Sequence, residues 1–415
     1  MPRRLARCNR SVARSALVLA ALALTAVCSA SASAPKVSLA RGEQPRAGEP
    51  WTAALRARPG LQIVLAARNA TTTLTGRADG RNRVRLTFPY AGRWTLEARV
   101  AGSRVRLGRV VVAPPAPVAS TLPGATATRV CAAGGEPVPQ YALAFDGASL
   151  WVACRTQSRL QRISPASGQV GAILRLRLAA PYAIAAGGGS VWAAERGPRI
   201  LRVDARTGRS STAANVGDSA YVFFAAGSAW AADDAASRLV RIDSATRRIT
   251  AELATGNGTS ALASDGRRAW IVNHRDGTLE RIDLATNRLE RLARLPGDAP
   301  ERMVLAHGSL WVTGRGTDLL RVDPETGAVL ATVDVGAGAI DLQASSTSIW
   351  VAAPSEADDR RGWPGLERLL RVDPATNRIV DTIRPTATVT VGGMTSANGV
   401  AWMLDPLAGR LYRLP

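Results

Sequence analysis

A tryptophan recurs through the last two-thirds of this 415-residue chain at a spacing near forty, and that period restricts the fold more than any other feature. The positions are Trp151, Trp192, Trp230, Trp270, Trp311, Trp350 and Trp402, separated by 41, 38, 40, 41, 39 and 52 residues. Each lies in a short apolar run that leads to a polar turn. In the middle copies the next run ends on Arg, then Val or Ile, then Asp, at Asp204, Asp243, Asp283, Asp323 and Asp373. The clearest copy is HGSLWVTGRGTDLLRVDPETGAVLATVDVG, residues 307–336. It has no helical period, and short runs divided by turns predict antiparallel strands. A unit of about forty residues with four strands is a β-propeller blade. Seven markers predict an all-β chain whose residues 125–415 form a seven-bladed β-propeller, preceded by an immunoglobulin-like β-sandwich.

The repeat is incomplete at both ends. The last copy, GVAWMLDPLAGRLYRLP, stops after its third run, while ATRVCAAG, around residues 129–134, aligns with the fourth-strand position of other copies. An N-terminal strand that completes the last blade would remove an exposed sheet edge. Within the unit, the Trp is expected in the core, where an indole removes on the order of 200 Å² from water. Each Asp of the triplet is expected to head a tight turn with a Thr three residues on, and Gly or Asn supplies the left-handed position.

Residues 1–34 resemble an export signal: five arginines, a 16–27 apolar run too short to span a bilayer, then small residues that place cleavage after Ala32. Cys28 raises the lipoprotein alternative, against which Val27 is bulkier than such a site prefers. No other stretch has the length of a membrane span, so no transmembrane segment is expected after the signal. An extracytoplasmic protein follows, secreted, periplasmic or at the cell surface. The formal charge of +21 loses five arginines with the signal, leaving +16. Lys36 is the sole lysine, which reads as an arginine bias and a solvated basic surface rather than a nucleic-acid groove.

Residues 35–113 lack the period and read as a small β-sandwich of alternating runs, with Trp94 and Phe88 in its core. Asn69-Ala70-Thr71 matches a glycosylation acceptor, a pattern too short to carry weight. Residues 114–124 form a proline-rich linker expected to be semi-extended.

Alternating strand direction places the start of each blade's first strand and the end of its second on one face. Ten positions before each Trp lie Tyr141, Tyr182, Ala220, Ser260, Glu301, Ile340 and Gly392; three after lie Cys154, Glu195, Asp233, Asn273, Gly314, Ala353 and, in the last copy, Asp405, which follows Leu404. One step further stand Asp234, His274 and Arg315. Tyr141, Tyr182, Glu195, Asp233, Asp234, Asn273, His274, Glu301, Arg302 and Arg315 are therefore candidate ligand-binding residues at one mouth of the channel. The sixth unit carries eleven extra residues between its second and third strands, since Trp350 to Asp373 is 23 positions against 12 from Trp311 to Asp323. That insertion bears Trp363 beside Arg360 and Arg361, residue types that dominate binding at interfaces, and Trp363 joins the candidates. Cys131 and Cys154 are the two cysteines left after the signal, an even pair in an exported chain, and are expected to form a disulfide.

The Trp and Arg-Val-Asp-Pro units resemble YVTN-type propellers. PYAIAAGGGSVWAAE, residues 181–195, is similar to the repeat of virginiamycin B lyase-like (streptogramin lyase-like) propellers. In those lyases the repeat reads Pro-His-Gly-Ile and then Trp-Phe-Thr-Glu, with the histidine and glutamate serving catalysis beside a magnesium ion. The resemblance covers about residues 125–415 and implies the glutamate's role for Glu195. Tyr182 stands at the histidine's place, and the two histidines, His274 and His307, fall elsewhere. Without that imidazole the proton transfer lacks its carrier. No phosphate loop, zinc-spaced cluster or serine elbow appears. The expectation is a monomeric binding scaffold at the cell envelope with no cofactor, for a small-molecule or protein ligand. The alternative is a lyase-like or hydrolytic enzyme holding magnesium through Glu195, Asp233 or Asp234.

Overall fold

The computed structural model describes residues 36–415 apart from 41, 47–48, 69–72, 89–91, 114–119, 132–141, 155–157, 177–180, 182, 195–196, 218, 234, 298, 317, 337 and 355–364. The secondary structure in this set is strand and turn, with no helix among the described residues. Six four-stranded antiparallel sheets follow one another along the chain, over residues 143–175, 183–215, 219–254, 259–294, 300–334 and 341–383. Each is built from four consecutive strands in chain order. A seventh contains Met394–Ala397, Val400–Asp405 and Arg410–Arg413, and its fourth member is Thr126–Arg129 from far upstream.

The closing strand therefore starts ahead of the expected 129–134 stretch, because the chain leaves the sheet after Val130. Val130 still donates to the Gly409 carbonyl at 2.8 Å, and Cys131 then turns toward the first sheet. There it is joined to Cys154, with a Cα–Cα distance of 5.5 Å. Just upstream of the closing strand, Leu122 is fully buried against the seventh sheet. Thr121 Oγ1 lies 2.7 Å from the Tyr412 hydroxyl, so the end of the proline-rich stretch is tied down.

The first strands of successive sheets touch in the order one to seven, and the seventh touches the first, which closes a ring. The second strands carry the marker tryptophans, all at most 1% exposed. Opposite each Trp, in direct cross-strand pairing, stands an arginine, as in Trp230 with Arg241 and Trp311 with Arg321. The Arg241 guanidinium lies 5.2 Å from the Trp230 ring centroid, a cation–π contact. It also donates to the Leu284 carbonyl at 2.7 Å and to Asn287 Oδ1 at 2.8 Å, in the turn of the next sheet. Arg321 repeats the arrangement on Pro374 and Asn377. The arginine of the triplet thus fastens one sheet to its neighbour.

The triplet aspartates head turns. Asp243 Oδ1 accepts from the Thr246 N–H and hydroxyl, both at 2.7 Å, and Asp204, Asp283 and Asp323 do the same with Thr207, Thr286 and Thr326. These bonds hold the carboxyls below the usual carboxylate range: the Thr207 hydroxyl comes first for Asp204, and the backbone N–H of Thr246, Thr286 and Thr326 for the others. The left-handed residue that follows is Gly208, Asn287, Gly327 or Asn377, but Arg247 in the third sheet, at φ 61°.

Residues 37–113 contribute a three-stranded sheet of Ser38–Leu39, Pro50–Arg56 and Arg83–Thr87, and a four-stranded one of Thr73–Arg77, Ile63–Arg68, Gly92–Val100 and Ser103–Val112. Phe88 and Trp94 are fully buried with ring centroids 5.1 Å apart, edge to face.

Candidate functional site

The first strands of all seven sheets line one cavity of about 310 Å³. Most of its lining residues are apolar in type, Phe145, Ile184, Phe223, Phe224, Leu262 and Met303 among them, but the surface that faces the cavity is more polar than apolar. Phe224 reaches this position only because Gly187 faces it, since a Cβ there would fall 2.0 Å from the ring. Two charged side chains belong to the lining, Arg302 and Asp341, 5% and 6% exposed.

Arg302 and Asp341 come from the starts of the first strands of sheets five and six, with Arg302 Nε 3.8 Å from Asp341 Oδ1. Arg302 Nε also donates to the Ile340 carbonyl at 3.2 Å. Asp341 Oδ2 accepts the N–H of Met394, the first residue of the seventh sheet, at 2.7 Å, and Oδ1 accepts the Leu342 N–H at 2.9 Å. One carboxylate therefore joins three consecutive sheets at the channel. Burial pushes its pKa up to about 6, against the opposing pull of Arg302 and the two N–H donors. Asp341 was not among the sequence candidates; the signal was its place one residue after Ile340 at the head of a first strand.

At the same end, the first-strand positions counted from the sequence coincide with β-bulges in three sheets. The pairing shifts between Ser219 and Tyr221, between Thr259 and Ala261, and between Pro300 and Arg302, so Ala220, Ser260 and Glu301 are the extra residues. Bulges re-aim neighbouring side chains. Glu301 accepts from Arg315 Nε at 2.9 Å, an ion pair at the rim with Arg315 73% exposed. Arg302, the next residue, lines the cavity.

Two other candidates serve the fold instead of an open site. Asp233 is 3% exposed; its Oδ2 takes a hydrogen bond from Arg238 at 2.9 Å, its Oδ1 one from the Ala236 N–H at 3.2 Å, and Arg238 goes on to Glu252 at 2.8 Å. Gly217 packs so closely that a Cβ would lie 1.9 Å from Asp233 Oδ2. Asn273 is fully buried, accepting from the Thr259 hydroxyl and donating to Thr278 Oγ1 and Glu280 Oε2, both at 2.9 Å. His274 Nδ1 lies 2.7 Å from the Gly258 carbonyl, which also accepts the His274 N–H. Tyr141, Tyr182, Glu195, Asp234 and Trp363 lie outside the described residues. Asp405, at the corresponding place in the seventh sheet, is 1% exposed. Thr390 Oγ1 donates to one of its oxygens at 2.7 Å, the other lacks a hydrogen-bond partner, and burial raises its pKa.

A magnesium ion of the lyase kind would draw on Glu195, Asp233 and Asp234. Asp233 does not fit that role, because both of its oxygens are engaged by Arg238 and the Ala236 N–H.

No family model matches the chain, and no curated protein matches it. Among solved structures, that of a streptogramin B lyase is similar at a TM-score of 0.54 and 16% sequence identity, over 67% of this chain and 93% of the other. At that identity the likeness speaks for architecture. Together with the repeated four-stranded sheets it defines the fold as a β-propeller.

Proposed function

We propose that this chain is an exported seven-bladed β-propeller, preceded by an immunoglobulin-like sandwich over residues 35–113, that acts as a ligand-binding scaffold at the cell envelope. The observation that carries this reading is the channel cavity, lined by residues from every sheet, with one buried Arg302–Asp341 pair. Binding pockets combine a mainly apolar lining with a few fixed polar groups that orient the ligand. The ligand class that fits is a compact amphiphilic molecule with several hydrogen-bonding groups, one of them a polar head for the charged pair. The engagement of Asp233 and Asn273 within their own sheets also favours binding over catalysis. The signal-like residues 1–34 support export, and the Cys131–Cys154 link, on the closing and first full sheets, suits an oxidising compartment.

The similarity to a streptogramin B lyase, with the Glu195 match, favours a second reading, a metal-dependent lyase-like enzyme. A thermal-shift screen of small amphiphiles with and without chelator and magnesium separates the two. Stabilisation that is indifferent to chelator supports the binder, and stabilisation that requires the metal supports the enzyme. A cavity that no such molecule stabilises would overturn the binding reading.

A further inference from the structure

The positive charge is not evenly spread along the chain. Residues 36–113 hold 15 basic residues and 4 acids, a net +11, while 114–415 hold 33 and 28, a net +5. The strand register collects much of this charge on one surface. In the four-stranded sheet of that region, Trp94, Leu96, Ala98 and Val100 face the core. The alternate residues face outward, and pairing carries that face across the strands: Arg77 opposite Val64, Val64 opposite Arg99, Arg99 opposite Arg104. Arg106 stands opposite Glu97, Arg109 opposite Thr95, and Arg93 opposite Val111. Arg77, Arg93, Arg99, Arg104, Arg106 and Arg109 are all exposed, and none forms an ion pair among the described residues. Glu97 is the one acid on these outward positions.

Like charges directly across a sheet destabilise it, so the Arg99–Arg104 pairing costs stability unless an anion is shared between them. Neighbouring strands lie about 5 Å apart and outward residues about 7 Å apart along a strand, so the guanidinium groups form a two-dimensional array across the sheet, with a register shift between Leu96 and Glu97. A single-stranded nucleic acid needs aromatic platforms for its bases, and no aromatic residue occupies the outward positions of this sheet. A protein interface is anchored by apolar residues, of which the face shows Val111 alone as a large exposed one. A planar array of phosphates matches it best. We propose that the outward face of this sheet docks the protein on an anionic phospholipid membrane, through charge and without insertion.

The experiment is co-sedimentation of the purified protein with phosphatidylcholine vesicles, with and without one-third phosphatidylglycerol, at low and high salt. Binding is expected only to the anionic vesicles and should fall steeply with salt. Each arginine near such a surface is worth about fivefold in affinity, so R99Q/R104Q should weaken binding about thirtyfold at an unchanged melting temperature. R77Q/R106Q provides a second test, independent of the Arg99–Arg104 pairing. Failure to bind anionic vesicles, equal binding to phosphatidylcholine alone, or wild-type binding by both variants overturns the proposal. Tighter binding to duplex DNA or soluble polyphosphate than to vesicles also overturns it, in favour of a soluble polyanion. None of these outcomes bears on the channel cavity, which the thermal-shift screen tests separately.

Discussion

Single residues set the chemistry of the channel and the cost of the turns. Asp341 has its pKa raised by burial, so the folded state binds a proton that the unfolded chain releases near pH 4. Its contribution to stability is present below the unfolded value and is lost as the pH rises through about 6. Relative to Asp341→Asn, the wild-type protein should lose on the order of 3 kcal/mol between about pH 4 and pH 6, read from urea denaturation at several pH values. Parallel stability curves for the two proteins would refute the buried carboxyl. The turn aspartates have the opposite sign: their pKa values are lowered, so their contribution is present above pH 4 and fades as the pH falls. Arg247 holds a left-handed conformation where equivalent turns place Asn or Gly. Arg247→Asn should therefore stabilise the protein by about 1 kcal/mol in chemical denaturation, and no gain would mean that the turn relaxes around the arginine. The turn aspartates were legible in the sequence because their partners lie within three residues. Asp233 and Asn273 were not, since their partners Arg238 and Glu280 are set by strand register. Asp341 was hidden for a further reason: its burial requires three sheets to converge.

At the scale of elements, the forty-residue period foretold the four-stranded sheets because the second strand of every unit must bury the same indole. Bulges broke the counting at Ala220, Ser260 and Glu301, since one extra residue in a first strand leaves no trace in composition. The arginine opposite each Trp likewise gains its meaning only from pairing and from the turn of the next sheet. Arg241→Met keeps the apolar stem but removes the donors to Leu284 and Asn287, and should cost about 2 kcal/mol. An unchanged melting temperature would show that the cation–π and carbonyl contacts add nothing. The closing strand makes a stronger case. Replacing Cys131 and Cys154 by Ser should cost about 3 kcal/mol on the chain-entropy argument. It should also raise amide exchange at Ala127, Thr128 and Arg129 before other strands, because that edge strand then loses its only covalent tie to the first sheet. Uniform loss of protection across all sheets would instead make the link a general stabiliser.

For the whole molecule, the ring brings seven modest sheets around one open cavity, and the proposed binding function depends on that cavity. Ala186 lines it and comes from the second sheet, away from the Arg302–Asp341 pair. Ala186→Phe would fill the space without touching either charge. The decisive measurement is ligand-observed NMR of a library of small amphiphilic acids, amides and amines, run in parallel on the wild-type protein and Ala186→Phe. A set of binders to the wild type is expected that is lost in the filled variant at an unchanged fold, with affinity for the same hits also lowered by Arg302→Met. Hits that bind both proteins equally, or a library with no binder to the wild type, would contradict the binding reading.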